Sequence, residues 1–419
     1  MRPGPAASRR PDPGRSVPAS IRYRSVPPVV QPWDVPTPDV SAPPTLSVDG
    51  RARLGRELRA LGAAAGLAAV GIGGAEVFSD TRAVLESRRR DGLAADMQFT
   101  YRNPRRSTDP HRVLPGARSL VVGAWGYRRR DDDGRPGDRP TGRVARYARG
   151  DQYAPLRTAL HRIADHLEAE GWRARVVADD NALVDRVAAQ RAGLGWFGRN
   201  SLLLLPGLGS WFVLGSVVTD APLDPTPPTG PSGHAEGCGT CRRCVTACPT
   251  GALVADGLLD ARRCLAWLVQ APGTFPVGFR AALGDRIYGC DDCQQVCPIN
   301  RTADRRHPPA SPEHGSVAGV DLLDLLGATD AALLEAHGRW YIAQRDPRHL
   351  RRNALVALGN VGDGADPATA AVLADYIGGD DELLAEHARW AAGRLGRADL
   401  IPVPGSTVPV GAPSSERGP

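Results

Sequence analysis

All eight cysteines of this 419-residue chain fall between Cys238 and Cys297, and no other feature constrains the chain as strongly. Cys238-x2-Cys241-x2-Cys244-x3-Cys248, followed by Pro249, is the bacterial ferredoxin run for a [4Fe–4S] cluster, whose fourth cysteine ligates a second cluster. Cys290-x2-Cys293-x3-Cys297, followed by Pro298, offers three more thiols, and Cys264 is the one cysteine left. The partition gives one cluster Cys238, Cys241, Cys244 and Cys297, and the other Cys248, Cys264, Cys290 and Cys293. Thiolates this close on a tight turn wrap three corners of a cube, and the proline then redirects the chain. Zinc would normally show two separated C-x2-C pairs instead. Disulfides would suit an exported chain. The start MRPGPAASRRPDPGR has no apolar run after its arginines, so no Sec or twin-arginine signal is expected. A cytoplasmic protein with reduced thiols follows as the expectation.

The remaining length is enough for two or three cored units. Residues 1–48 and 401–419, rich in Pro, Ser, Gly and Arg, cannot bury enough apolar surface to offset ordering entropy and read as disordered tails. After a Ser/Asp cap signal, Leu54, Leu58 and Leu61 recur at helical spacing, and Leu156, Leu160, Ile163 and Leu167 mark one face of a clearer helix. Strands are expected at Ser119–Ala124, at Arg173–Ala178 and within Trp211–Val218. Ser201–Thr219, the one membrane candidate by length, is broken by Pro206, Gly207 and Gly209 and reads as two buried strands around a turn, so no membrane partner is expected. Gly71-Ile72-Gly73-Gly74 lacks the third glycine of a dinucleotide fingerprint and reads as a turn.

The fold class expected is α+β in three units. Residues 49–222 form an α/β-type reductase domain, 223–305 a ferredoxin-like domain with two [4Fe–4S] clusters, and 306–400 a set of HEAT-like helical hairpins. In the last unit helices are expected at Asp321–Leu326, Ala331–His337, Leu350–Leu358, Pro367–Ile377 and Glu382–Leu395, with a polar separator after Asn300. Every basic residue is Arg; the net charge of +6 suits a nucleic-acid partner and is also ordinary for this length. Two adjacent clusters imply one-electron transfer. A carrier would need only the cysteine segment, so the 49–222 unit is expected to hold an acceptor.

Several blocks together resemble the epoxyqueuosine reductases. They are AGLGWFGRNS, GSWFVLGSVVTD, CGTCRRCVTACPTGALV, LDARRCLAWL, GDRIYGCDDCQQVCP, RVARYARGDQY, RVLPGARSL and RRNALVALGN, and the likeness spans about residues 50–395. It implies a cob(II)alamin in the reductase domain, reduced through the clusters, and reduction of an epoxide on the wobble nucleoside of tRNA to queuosine. The D-x-H-x-x-G pattern of histidine-ligated cobalamin proteins is missing, so no histidine is singled out for the cobalt.

The resemblance makes Asp179, fourteen residues before Gly193 of the G-L-G-W block, the catalytic proton donor. Without it, Asp179 reads equally as the cap of a helix beginning near Asn181, and the adjacent Asp180 as a rival carboxylate. Cobalamin contacts carried over fall at Asp179, Leu203, Leu214, Ala266, the backbone around Asp291, and Arg106; Leu203 and Leu214 are also plausible core residues. Two departures are Ala182 for a common proline and Ile299 for a common tryptophan. For tRNA, Arg339, Arg345, Arg348, Arg351 and Arg352 are expected to form a basic surface. A monomer served by an external flavodoxin- or ferredoxin-like electron donor completes the expectation. The alternatives are a cobalamin-dependent reductive dehalogenase-like enzyme and a ferredoxin-type electron-transfer protein.

Overall fold

Leu156, Leu160, Ile163 and Leu167 recur every three or four residues, and in the computed structural model all four are fully buried on one face of the helix Tyr153–Ala169. The helix Val48–Ala64, capped where the Ser47 hydroxyl accepts from the Gly50 amide at 3.1 Å, buries Leu54 and Leu58 in the same cluster. Each such side chain contributes about 1.5–3 kcal/mol by leaving water. The structure describes residues 45–99, 101–127, 139–306 and 318–402. The tails expected at 1–48 and 401–419 therefore lie almost wholly outside the described residues.

These helices cover one face of a four-stranded sheet ordered Ala69–Gly74, Ser119–Gly126, Phe212–Thr219, Ala174–Ala178, antiparallel throughout. Its two central strands alternate between two cores. Val121, Val213 and Val217 face the helices, while Leu120, Val122, Leu214 and Val218 pack on the other side with Leu183, Ala188 and Leu203. Gly71–Gly74, expected as a turn, is instead the end of the edge strand Ala69–Gly74. Its glycines serve close approach: a Cβ on Gly71 would lie 2.2 Å from the Ala192 carbonyl oxygen. The two strands expected within Ser201–Thr219 form, but Leu203–Leu204 pairs with Trp196–Phe197 while Phe212–Thr219 joins the large sheet.

A second sheet ties distant segments together. Thr141–Val144 lies in the middle, parallel to Arg286–Tyr288 from the cysteine segment and antiparallel to Gly319–Asp321 from the helical tail. The described residues belong to one compact unit. The tail's helices are Leu322–Gly327, Asp330–His337, Arg348–Val361, Pro367–Gly378 and Glu382–Arg394. Four of them begin where Asp321, Thr329, Asp366 and Asp381 accept amide hydrogens of the first turn. The separator expected after Asn300 is helical as far as Arg306, in Pro298–Arg306. No helix among the described residues is long and apolar enough to cross a membrane.

Of the five arginines expected on the tail's surface, Arg339, Arg345 and Arg348 are exposed and Arg351 is partly buried, but Arg352 is not at the surface. Arg352 is fully buried, and its guanidinium donates to the carbonyls of Ala271 at 2.7 Å, Gly273 at 2.6 Å and Leu268 at 3.1 Å. Arg351 pairs with Asp330, Arg348 with Asp346 and Asp381, and Arg339 donates to the Ala148 carbonyl. Arg352 ties down the 268–273 loop, because buried carbonyls without donors would be costly. Burial lowers the Arg352 guanidinium to about 10. Arg352→Ala is expected to destabilise the protein by about 3 kcal/mol or more, read from denaturant unfolding. It strands several carbonyls of the 268–273 loop at once.

Candidate redox centre and active site

The cysteines sit on short helices and the loops between them. His234–Cys238 and Arg243–Ala247 carry the first run, and Asp292–Gln295 follows Cys290 in the second. All eight thiols are free and partly exposed. Backbone amides point at the sulfurs: Ala252 donates to Cys248 Sγ at 3.2 Å, Ala266 and Trp267 to Cys264, and Ile299 and Asn300 to Cys297. Burial nevertheless pushes the thiols of Cys264 and Cys293 up, and that of Cys290 up to about 12. Left to themselves these groups would stay protonated; bound iron would supply the positive charge that ionises them.

Their mutual electrostatics divide the thiols into two sets. Cys244 is influenced by Cys297, Cys238 and Cys241, and Cys297 in turn by Cys238 and Cys241. Cys290 and Cys293 are influenced by Cys264, and Cys264 by Cys248. Cys293 also feels Cys244, where the two sets approach each other. No three Cys, His, Asp or Glu side chains among the described residues converge tightly enough to hold a single metal ion. Eight thiols in two ferredoxin-type runs are the donor set that a pair of [4Fe–4S] clusters requires.

The 199–210 loop of the sheet domain holds these segments in place. Arg199 donates to the Cys241 carbonyl at 2.7 Å and to Asp256 at 2.8 Å. Ser210 donates its amide to Asn300 Oδ1 at 2.7 Å and its hydroxyl to Gln294 Oε1 at 2.9 Å. The chain can approach this closely because residue 209 is glycine with φ +66°; a Cβ there would lie 2.1 Å from Asn300 Oδ1. Asp291, buried between Cys290 and Cys293, accepts from the Arg146 amide at 2.7 Å and from Gln294 Nε2 at 3.1 Å.

At the C-terminal end of the strand Ala174–Ala178, Asp179 adopts φ +56°, a conformation costing about 1 kcal/mol for a residue with a Cβ. The helix expected near Asn181 starts only at Asp185, so Asp179 does not cap it. Asp180 closes the intervening turn by accepting the Ala182 amide at 2.8 Å. That bond separates the two neighbouring carboxylates, for Asp179 makes no hydrogen bond among the described residues. Although Asp179 is exposed to solvent, enough protein surrounds it to raise its carboxyl above the ordinary range; Arg157 opposes the rise, and Asp180 and Asp151 add to it.

Residues 107–180 match a family model described as epoxyqueuosine reductase QueG, and residues 237–300 one described as a 4Fe-4S double cluster binding domain. The epoxyqueuosine reductase of Xanthomonas campestris is 35% identical over 81% of this chain and 95% of its own. The Vibrio cholerae enzyme is 35% identical over 72% and 81%. The chain belongs to the epoxyqueuosine reductases. Solved structures agree. An epoxyqueuosine reductase crystallised with an epoxyqueuosine-modified tRNA stem loop superposes with a TM-score of 0.72 at 30% identity, covering 82% of this chain and 91% of the other. A Bacillus subtilis epoxyqueuosine reductase, described with its catalytic aspartate loop swung out of the active site, gives 0.71 at 30% identity over the same shares. The family decides for a reductase over a bare electron carrier or a dehalogenase.

In this epoxyqueuosine reductase the residues carried over for cobalamin are dispersed. Leu203 and Leu214 are 2% and 7% exposed within the same core cluster, so little of either side chain is left for a ligand. Ala266 is half-buried beside Cys264. Arg106 is exposed on the short turn Pro104–Ser107, which is joined to the Asp179 loop where the Val184 amide donates to the Ser107 carbonyl at 3.0 Å.

Several residues near Asp179 escaped the sequence reading. Asp185 has a carboxylate oxygen shielded from water with no hydrogen-bond partner, and burial followed by the charge of Asp179 holds its carboxyl well above the usual range. Tyr153 is raised by burial and then by Asp179 and Asp185. The charge of Arg186 reaches Asp185 and Tyr153 on one side and Cys264 on the other, which links the second thiol set to the Asp179 loop. Gln152 likewise keeps a buried, unpartnered Nε2. Such orphaned groups suit a ligand with a polar rim of amides, as a corrin has. The RVARYARGDQY block contains Gln152 and Tyr153, but only the fold shows that the Gln152 amide is buried without a partner and that Tyr153 is influenced by Asp179 and Asp185. Cys264→Ala is expected to lower bound iron and sulfide in anaerobically prepared protein by about half, because each cube needs four thiolates. A full complement would remove Cys264 from the ligand set.

Proposed function

We propose that Asp179 is the proton donor in the reduction of epoxyqueuosine to queuosine at the wobble position of tRNA. The reading assigns one [4Fe–4S] cluster to Cys238, Cys241, Cys244 and Cys297, and the other to Cys248, Cys264, Cys290 and Cys293. The observation that carries the role of Asp179 is a carboxyl at a strand end, accessible yet raised in pKa, with no hydrogen bond competing for its proton. The solved relatives support it: one holds a modified tRNA stem loop, and another is described by the movement of a catalytic aspartate loop. The unpaired, left-handed Asp179 is suited to similar movement.

Converting an epoxide to an alkene consumes two electrons and two protons and releases water. Cobalamin, when bound, supplies a reduced centre able to take electrons from the clusters one at a time. The residues that would hold it are Ala266, the backbone around Asp291 and Arg106, with the little of Leu203 and Leu214 that the core leaves exposed. Asp179 delivers a proton to the oxygen released as the ring opens, so that an alkoxide does not accumulate. Burial holds the carboxyl of Asp185 well above the usual range, which disfavours a second negative charge alongside Asp179. The reading includes a cytoplasmic monomer that draws electrons from an external carrier; clustered thiols with a redox role support the compartment.

Asp179→Asn is expected to lower turnover of epoxyqueuosine in tRNA by about 100-fold or more while clusters and cobalamin uptake persist. Unchanged turnover would defeat the assignment. Because Asp179 must be protonated to donate, activity falls as pH rises through its raised pKa. The opposing charge of Arg157 holds that value down, so Arg157→Ala is expected to move the alkaline limb of the pH–rate profile to higher pH.

A further inference from the structure

Beside the first thiol set lies a wide, open depression of about 430 Å³, lined by Arg242, Arg243, Thr246, Ala247, Val296 and Arg301. Arg242 and Arg243 separate Cys241 from Cys244, and Val296 immediately precedes Cys297, so the depression borders three thiols of that set. All three arginines are exposed. Arg242 pairs with Asp256 at 3.0 Å, whereas Arg243 and Arg301 have no carboxylate partner among the described residues. Arg305 and Arg306 extend the positive charge along the helix Pro298–Arg306. Two small apolar side chains within a rim of unneutralised guanidinium groups form an uncommitted, strongly basic surface.

We infer that this depression is the docking site of a small acidic one-electron carrier protein. The inference rests on the reading that the two thiol sets hold redox clusters. Arg242 and Arg243 lie between Cys241 and Cys244, and the Arg301 amide donates to the Cys297 carbonyl at 3.0 Å, so the surface is built on the segments that carry the first thiol set. Asp179 is not among the residues that line it. A tRNA wobble base has to reach Asp179, which favours a protein electron donor over RNA here. Small redox encounters are brief, bury little area and are steered by opposite charge, which a basic rim provides. In each encounter the carrier gives up one electron and leaves oxidised by one, with no bond made or broken; two encounters supply the two electrons that one epoxide consumes.

The test uses cluster-loaded full-length protein titrated calorimetrically with an acidic plant-type ferredoxin and, in a second arm, with an acidic flavodoxin. Arg243→Glu combined with Arg301→Glu is expected to weaken binding of at least one carrier by about tenfold or more and to flatten its salt dependence. Arg243→Lys with Arg301→Lys should retain binding, since the charge persists. Reduction of the clusters by dithionite, followed by their absorbance, should be the same in the wild type and both variants. Unchanged affinity for both carriers would overturn the inference. So would a loss confined to an anticodon stem loop, which would assign the surface to RNA. If anaerobically prepared wild type binds no iron and sulfide, the cluster reading itself fails and the docking site with it.

Discussion

The carboxylate of Asp291 holds the parts of this enzyme in register. It is buried between two cysteines of the second set, and it accepts the Arg146 amide from the turn that follows Thr141–Val144. That strand pairs with Arg286–Tyr288 on one side and Gly319–Asp321 on the other. A single acceptor thus connects the thiol loops to the junction on which the helical tail is hung. Losing it would leave a buried amide without a partner and free the loop that positions Cys290 and Cys293.

Around this anchor, desolvation sets the chemistry. Buried thiols resist ionisation, which makes them poor nucleophiles and good ligands only for a group that brings positive charge. The same effect raises the carboxyl of Asp179 above the ordinary range although water can still reach it. Arg186 lies between the two regions and moderates both, favouring the ionised form of Cys264 and of Asp185.

The helical tail serves this arrangement more than its arginine content suggests. Arg352 and Asn353 satisfy carbonyls of the 268–273 loop and Ile287, and Arg280 reaches Glu386 at 2.7 Å. Trp340 stacks on Tyr288 with 4.6 Å between ring centroids and donates to the Ala148 carbonyl at 3.0 Å. The tail braces the cysteine segment through these contacts.

Local pattern alone determined a great deal. Cysteine spacing marked out the two thiol runs, because ligands to a cube must be close neighbours in the chain. Apolar periodicity located the long helices and central strands, because burial of one face imposes its own repeat. What it left open depended on contacts between distant residues. Gly71 looked like part of a turn because only the approach of Ala192 explains the missing side chain. Arg352 looked like a surface charge because its carbonyl partners lie about 80 residues away in sequence. Asp179 and Asp180 are indistinguishable in one dimension, and it took the backbone turn to commit Asp180 to the Ala182 amide and leave Asp179 unbonded. Asp185 carries no motif at all. Its unpartnered oxygen and its place between Arg186, Tyr153 and Asp179 exist only once the strand, the turn and the helix have been brought together, since burial and charge act through space rather than along the chain.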